Sequence, residues 1–365
     1  MIARLTVPGI ALAALTLAGC VEPGHVERRW TVMATYATVE VHATDARVAQ
    51  RVADEVHAAF ETVNRTMSNW SADSDLSRLN REARARPFVV QDPDVFRCVA
   101  LAREYARATG GAFDPTVGPL MRLYGFRPKE PRVPTDEEIA AVLPSVGWRN
   151  LDILDEHRAV RFLADGVEID LGGIAKGYAV DVAARSFANS GAVAGLIDLG
   201  GNIYAWGKPP DRDAWVIGLR DPQNPERVFA TVKMVDRAVA TSGNYENAFT
   251  VEGRTYGHIM DAATGRPARS DVLAASAFSD GAAEADALST AFFAGGSARA
   301  GDILSRSRRV EAVLLVETPA GLGVLASASL RDRLEIDSEF AARLGGGIRF
   351  ILPPEELATS FMKFD

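Results

Sequence analysis

The chain has 365 residues, with 40 basic and 48 acidic side chains, and its formal net charge is −8. A negative chain whose basic residues are scattered is not expected to bind nucleic acid. A hydrophobic content of 47% and a charged content of 24% exclude wholesale disorder, and the presence of only 2 cysteines excludes a disulfide scaffold. The length allows one large domain or two smaller ones.

The N-terminal segment resembles a lipoprotein signal peptide. Residues 5–18 are mostly apolar but too short to span a membrane, which takes about 20 apolar residues. The run ends in Leu-Ala-Gly-Cys, which resembles the bacterial lipobox, so we expect removal of residues 1–19 and lipidation of Cys20. Residues 20–29 then form a tether. Val21 favours the outer membrane, with the protein on the periplasmic side; an ordinary signal peptide is the alternative.

The first half of the mature chain predicts a strand followed by helices. Residues 30–41 alternate and are rich in β-branched side chains, which indicates a strand. Apolar residues recur at helical spacing over residues 45–67, which predicts an amphipathic helix. Residues 68–80 are polar and predict a loop with one helical turn. Further helices are predicted at residues 93–109 and 135–143.

From Ala159 onward the pattern is mainly that of strands. Apolar residues at 160, 162, 167 and 169 flank an Asp-Gly turn, which predicts a hairpin. Helices are predicted at 178–190 and 281–307, and strands at 194–198, 215–219, 228–235, 239–241, 246–251, 254–258, 310–317 and 321–326. Strands and helices mix without strict alternation, which predicts an α+β fold of mixed sheets and packed helices, with a smaller inserted subdomain. Residues 331–365 have no predicted role.

Two segments carry residues suited to a phosphate and a metal ion. Between Asp170 and Gly177, a predicted strand ends in an acid, passes two glycines and opens a helix with Lys176. Glycines allow close backbone approach, and a helix N-terminus with a lysine favours an anion. Asp286 and Thr290 are four residues apart on a predicted helix and offer oxygen ligands of the kind that Mg²⁺ prefers. A solvated glycine-rich turn and a threonine bonded to its own helix are the alternatives.

Two further segments supply a candidate base and candidate stacking residues. His258 and Asp261 lie at a predicted junction of strand and turn, in a polar setting punctuated by glycines. A histidine with a pKa near neutrality suits general-base catalysis. Met67, Trp70 and Phe113 lie in segments suited to wrapping a flat aromatic ligand. The alternatives are a histidine that only bonds a turn carbonyl and aromatic residues that belong to the core.

The order and spacing of these segments resemble the ApbE family, the FAD:protein FMN transferases. The resemblance runs from Met33 to about Ala326. Its collinear pieces are residues 67–80, 110–126, 170–181, 197–202, 241–245, 257–265 and 285–291. It implies an enzyme domain over residues 30–330 that binds FAD and Mg²⁺. Such an enzyme moves FMN onto a threonine or serine hydroxyl of a target protein, for which a membrane redox subunit is a candidate, and releases AMP.

The resemblance also implies residue roles. The residues implied for the flavin and adenine parts of the site are Met33, Trp70, Ala112, Phe113 and Asp114. Those implied to hold the dinucleotide are Asp170, Lys176 and His258, and those implied for Mg²⁺ are the carbonyl of Gly173, Asp286 and Thr290. His258 or Asp261 is the implied base beside the pyrophosphate. The alternatives are a periplasmic FAD pyrophosphatase and a non-enzymatic flavin-binding lipoprotein, which would not need the metal pair.

Overall fold

The computed structural model describes residues 24–243 and 247–351. Cys20 and the predicted signal segment lie outside the described residues. No helix within the described ranges is long and apolar enough to cross a membrane.

Helices and strands are interspersed along the described chain. The helices are α1 Ala46–Thr66, α2 Asp75–Glu82, α3 Pro93–Ala108, α4 Gly118–Leu123, α5 Asp136–Val142, α6 Ala175–Ala184, α7 Ala282–Leu304 and α8 Ser338–Ala341. The strands are β1 Gly24–Val32, β2 Thr35–Ala43, β3 Phe88–Val89, β4 Leu151–Leu154, β5 Ala159–Phe162, β6 Ala192–Leu199, β7 Asn202–Gly207, β8 Trp215–Asp221, β9 Asn224–Met234, β10 Arg237–Gly243, β11 Ala248–Val251, β12 Arg254–Gly257, β13 Met260–Asp261, β14 Arg266–Pro267, β15 Val272–Ser279, β16 Glu311–Thr318, β17 Gly321–Ser327, β18 Leu334–Ile336 and β19 Gly347–Ile351.

A large mixed sheet organises the described residues, in the order β1-β2-β6-β7-β10-β15-β16-β17-β19. One face of its β1–β10 half packs against α1 and α6, α7 lies against β10 and β15, and α3 contacts α7. Its opposite face packs on the small sheet β18-β9-β8 through side chains such as Trp215 and Phe278. Helices and mixed sheets thus share layered cores, which confirms the predicted α+β class.

The amphipathic pattern of the first helix accounts for its position. Asp45 caps α1 by accepting hydrogen bonds from the Arg47 and Val48 amides at 2.8 and 3.0 Å. Val52, Val56 and the other apolar side chains at helical spacing are fully buried against the sheet. The predicted helices at residues 93–109, 135–143 and 281–307 are confirmed as α3, α5 and α7, to within three residues at each end.

The N-terminal prediction of a tether and one strand was wrong. Residues 24–29 belong to β1, and residues 30–41 contain the turn between β1 and β2. Val32 pairs with Thr35 across that turn, where Met33 and Ala34 have φ of 50° and 58°. Turns with positive φ are usually marked by glycine, and this one has none. The alternating pattern therefore predicts one continuous strand where the structure has two.

The predicted hairpin around residue 165 was also wrong. β5 pairs with β3 and β4, while residues 167–169 pair with no described strand. The reason is local: the Ile169 amide donates to the Asn80 side-chain oxygen at 2.8 Å, and the Asp170 amide donates to the Pro115 carbonyl at 2.7 Å. These bonds take the donors that a strand partner would need.

The C-terminal extension, which had no predicted role, is partly built into the sheets. β18 pairs with β9, and β19 adds to the large sheet in parallel with β17. Between them, Phe340 packs against Phe229 with ring centroids 5.3 Å apart. The extension therefore has a structural role as far as residue 351. The inserted subdomain stays a prediction.

Candidate functional site

A cavity of about 950 Å³ collects most of the residues that the sequence singled out. This volume suits a cofactor-sized ligand. The predicted residues that line it are Met33, Met67, Trp70, Ala112, Phe113, Asp114, Asp170, Gly173, Lys176, His258, Asp286 and Thr290. The predicted Asp261 is not among the lining residues. We call the group Gly173, Lys176, Ser242, Asp286 and Thr290 the floor of this cavity.

The crossing of α6 and α7 fixes the floor. A Cβ atom added to Gly177 would lie 2.2 Å from the Ala282 carbonyl oxygen and 2.8 Å from the Cβ of Asp286. Only glycine therefore allows the two helices to approach so closely. The Gly177 amide uses this proximity to donate to Asp286 Oδ2 at 3.0 Å.

Asp286 is a buried carboxylate that only neutral groups hold in place. Asp286 is 4% exposed. The side-chain amide nitrogen of Asn202 lies 3.1 and 3.2 Å from the two carboxylate oxygens of Asp286 and donates a hydrogen bond to each. Burial raises the pKa of Asp286, while the charge of Lys176 and the Gly177 amide lower it. A buried carboxylate without an ion-pair partner among the described side chains is suited to a bound cation.

Thr290 lies one helical turn from Asp286 and faces Gly173. A Cβ added to Gly173 would lie 3.1 Å from Thr290 Oγ1, so only glycine leaves the hydroxyl clear. Ser242 Oγ lies 3.3 Å from the same hydroxyl and 2.9 Å from Ser289 Oγ. A carboxylate, a hydroxyl and a backbone carbonyl are hard oxygen donors, and this donor set fits Mg²⁺.

The glycine-rich turn is held by an ion network and presents a lysine. Asp170 Oδ1 accepts from the Gly172 amide at 2.8 Å, and Asp170 Oδ2 accepts from Arg127 Nη1 at 2.9 Å. Arg127 is buried, also pairs with Glu168, and its Nε has no partner among the described residues. The carboxylate of Asp170 is therefore already paired with Arg127. Lys176 supplies the positive charge of this turn to the cavity.

His258 is held as a neutral base. Its Nδ1 lies 3.0 Å from the Asn247 carbonyl oxygen, which only accepts hydrogen bonds, so Nδ1 carries the proton and Nε2 is an acceptor. Burial first and the charge of Lys176 second lower the pKa of His258 to about 4. The expected pKa near neutrality was therefore wrong. A neutral imidazole with an open Nε2 is the form required of a general base.

Two predicted acidic residues hold turns instead of offering a free carboxylate. Asp261 accepts hydrogen bonds from the Ala263 amide and from Thr264 Oγ1, each at 2.9 Å. Asp114 accepts from the Thr116 amide, the Thr116 hydroxyl and the Trp148 amide at 2.9, 2.6 and 2.8 Å. These contacts favour His258 over Asp261 as the base and give Asp114 the role of fixing its loop.

Another part of the cavity wall, which we call the rim, is apolar and comes from loops and from β11 and β13. It consists of Met33, Trp70, Phe126, Phe249 and Met260. Trp70 is 63% exposed, whereas the rings of Phe126 and Phe249 contact each other with centroids 5.2 Å apart. The rim therefore offers apolar and aromatic surface, of which Trp70 is the exposed part, and it is suited to an aromatic ligand.

Sequence reasoning assigned no role to several residues of the site. Asn202, beside Asp286, follows two glycines with φ of 59° and 83°, and that Gly-Gly-Asn sequence was an available signal. Ser242 and Asn247 lie in ordinary polar stretches without such a mark. Arg127 meets Asp170 from 43 residues away, which no local pattern indicates.

Comparisons with known proteins show which proteins this chain is similar to. A model of the ApbE family matches residues 33–314. The chain is 32% identical to a FAD:protein FMN transferase of Vibrio cholerae over 88% of this chain and 97% of that protein. The solved flavin transferase ApbE from Vibrio cholerae covers 85% of this chain and 99% of its own, with a TM-score of 0.75 and 29% identity. An ApbE protein from Thermotoga maritima covers 87% and 99%, with a TM-score of 0.74 and 31% identity.

Proposed function

This chain belongs to the ApbE family, and from that membership we propose that it is an enzyme that transfers FMN from FAD to a target protein. One observation carries the proposal beyond the name. Lys176 lies close enough to both His258 and Asp286 for its charge to lower the pKa of each. A neutral base, a cation and a buried carboxylate thus share one cavity large enough for a dinucleotide.

The floor is the proposed pyrophosphate end of the site. Asp286, Thr290 and the Gly173 carbonyl are the residues that would hold Mg²⁺, because their donor atoms match its preference. When bound, Mg²⁺ neutralises charge on the phosphates. Lys176 adds a second positive charge there, and the glycine-rich turn lets the backbone approach the phosphates. The rim would take the flavin.

The proposed reaction is the attack of an acceptor hydroxyl on the FMN-side phosphorus. The threonine or serine hydroxyl gives its proton to Nε2 of His258 as its oxygen bonds to phosphorus. The bond from that phosphorus to the bridging oxygen breaks, and AMP leaves with that oxygen and its electron pair. The proton then passes from His258 to solvent. His258 thus acts on the attacking hydroxyl, and Lys176 acts on the charge of the phosphates.

Mass spectrometry of an acceptor tests this proposal. The full chain is incubated with FAD, Mg²⁺ and a candidate acceptor, such as a purified membrane redox subunit. We expect FMN on a threonine or serine peptide and an equal amount of AMP. A matched acceptor with that residue changed to alanine should stay unmodified. AMP and free FMN released at the same rate without any acceptor would instead establish a FAD pyrophosphatase.

We further propose that the protein is lipidated at Cys20 and faces the periplasm. The support is the apolar run that ends in Leu-Ala-Gly-Cys at Cys20. We expect a radiolabelled fatty acid to appear on the wild type and not on Cys20→Ser. A wild type that takes no label and fractionates with soluble proteins would contradict the anchor.

A further inference from the structure

Three side chains of the kinds that can ligate a metal ion lie close together on β1 and β2, away from the cavity. His25 pairs directly with His42 across the β1–β2 ladder, and Glu40 lies two residues before His42 on the same face. The intervening Val41 points to the opposite face and is fully buried. None of the three metal-binding residues lines the cavity.

The ligand atoms of this group converge. Glu40 Oε1 lies 3.4 Å from His25 Nε2 and 2.9 Å from His42 Nε2. The two imidazoles stack with centroids 4.5 Å apart, and all three ligand atoms lie within 4.8 Å of one another. Ligand atoms of a tetrahedral zinc site lie about 3.3 Å apart, because each bond is about 2.0–2.1 Å long. Binding of one ion by all three would bring the ligand atoms to about this spacing and turn the two imidazoles out of their parallel stack.

The surroundings distinguish this group from a surface ion pair. The side chains of His42 and Glu40 are only 16% and 24% exposed, that of His25 is 53% exposed, and the Trp215 ring lies 6.1 Å from that of His42. By contrast, His57 and Glu61 on α1 form a pair 3.7 Å apart that is about half exposed and offers two ligands. Strands also hold the three side chains on a rigid frame, which lowers the cost of ordering them around an ion.

We propose that His25, Glu40 and His42 form a binding site for a borderline divalent transition metal ion, with Zn²⁺ as the ion that fits best. Two imidazoles and one carboxylate suit Zn²⁺ and are a poor match for Mg²⁺, which prefers oxygen ligands. Three protein ligands leave a position for water. The ion would tie β1, the first described strand, to β2.

Calorimetric titration with ZnCl₂ tests the site. The full chain, freed of any histidine tag, is titrated in excess MgCl₂. We expect one Zn²⁺ to bind, with affinity falling by about a hundredfold or more in His42→Asn and in His25→Asn, since each removes a ligand. His57→Asn is the matched control and should bind as the wild type does. Asp286→Asn should also bind normally, which separates this site from the cavity floor.

Two further readouts keep the result interpretable if a variant folds poorly. Zn²⁺ should raise the Tm of the wild type, because a ligand that binds the folded state stabilises it. Co²⁺ added to the wild type should give the intense visible bands of a four-coordinate ion. Zinc affinity in His42→Asn within threefold of the wild type would overturn the proposal. So would a wild type with no bound Zn²⁺ and no Tm shift.

Discussion

The floor and the rim of the cavity are built on opposite principles. Asp286 is 4% exposed and sits where two helices cross at a glycine, whereas Trp70 is 63% exposed on a loop. A group that must act on a phosphate needs fixed geometry, and rigid helices supply it. A surface that only contacts a ring tolerates loops and exposure. We therefore expect changes in the floor to affect turnover and changes in the rim to affect FAD binding.

The strongest test of the floor is Asp286→Asn. The amide keeps the size of the side chain but removes the charge that would hold Mg²⁺, so we expect kcat to fall about a thousandfold or more. FAD affinity, measured by flavin fluorescence, should fall by much less. Glu284→Gln is the matched control, because it removes a carboxylate from the same helix outside the cavity. Full turnover of Asp286→Asn in excess chelator would contradict a metal site in the floor.

The second test is His258→Ala, for which we expect transfer to slow by about a hundredfold or more, the usual effect of losing a general base. FAD affinity should change little, because the base acts in the transition state. His157→Asn changes an exposed histidine elsewhere and should have no effect. A loss explained wholly by weaker FAD binding would make His258 a ligand contact instead of the base.

The acid limb of the pH profile sharpens the same test. Because burial and Lys176 lower the pKa of His258 to about 4, Nε2 stays unprotonated from neutral pH down to about pH 5. kcat/KM should therefore be flat over that range with respect to this group and fall below it, where the imidazole gains a proton. The limb of kcat should lie at higher pH, since bound phosphates favour the imidazolium. A limb in kcat/KM near pH 6.5 would contradict the lowered pKa.

A smaller effect is expected from Gly177→Ala, because Gly177 packs directly against Asp286 of the floor. The added Cβ would meet the Ala282 carbonyl oxygen at 2.2 Å, so the helices must separate. We expect the free energy of unfolding in urea to fall by about 1–3 kcal/mol, together with a loss of kcat as Asp286 moves. Gly301→Ala on α7 meets no atom within 4 Å and should be neutral or slightly stabilising. Equal stabilities of the two variants would refute the close crossing.

The sequence predicted the floor better than its supports. Asp286 and Thr290 share a helix, so their spacing alone placed them together, and the turn ending at Lys176 carried its own glycine signal. Asn202 and Arg127 reach the site from other elements. Tertiary packing brings them there, and a single sequence gives no pattern for it.

The fold shows the same limit. The long helices were predicted because their apolar faces repeat over many turns. β15, a strand inside the large sheet, was missed because its alanines and serines lack the β-branched character used to recognise strands. Those small side chains let α7 lie close to the sheet, with Ala275 and Ala277 fully buried. The small side chains that allow β15 to pack against α7 are therefore also the reason that its sequence does not predict a strand.

The mildest expected effect belongs to the rim, in Trp70→Ala. The side chain is 63% exposed and its backbone amide already bonds the Ser68 hydroxyl at 3.1 Å, so the fold should not depend on the indole. Loss of one stacking contact should raise KM for FAD about three- to tenfold and leave kcat within about twofold. Tyr36→Ala removes an equally exposed ring, 62%, that does not line the cavity, and should change neither constant. A fall in kcat as large as that of His258→Ala, with KM unchanged, would show that the rim, like the floor, contributes to turnover.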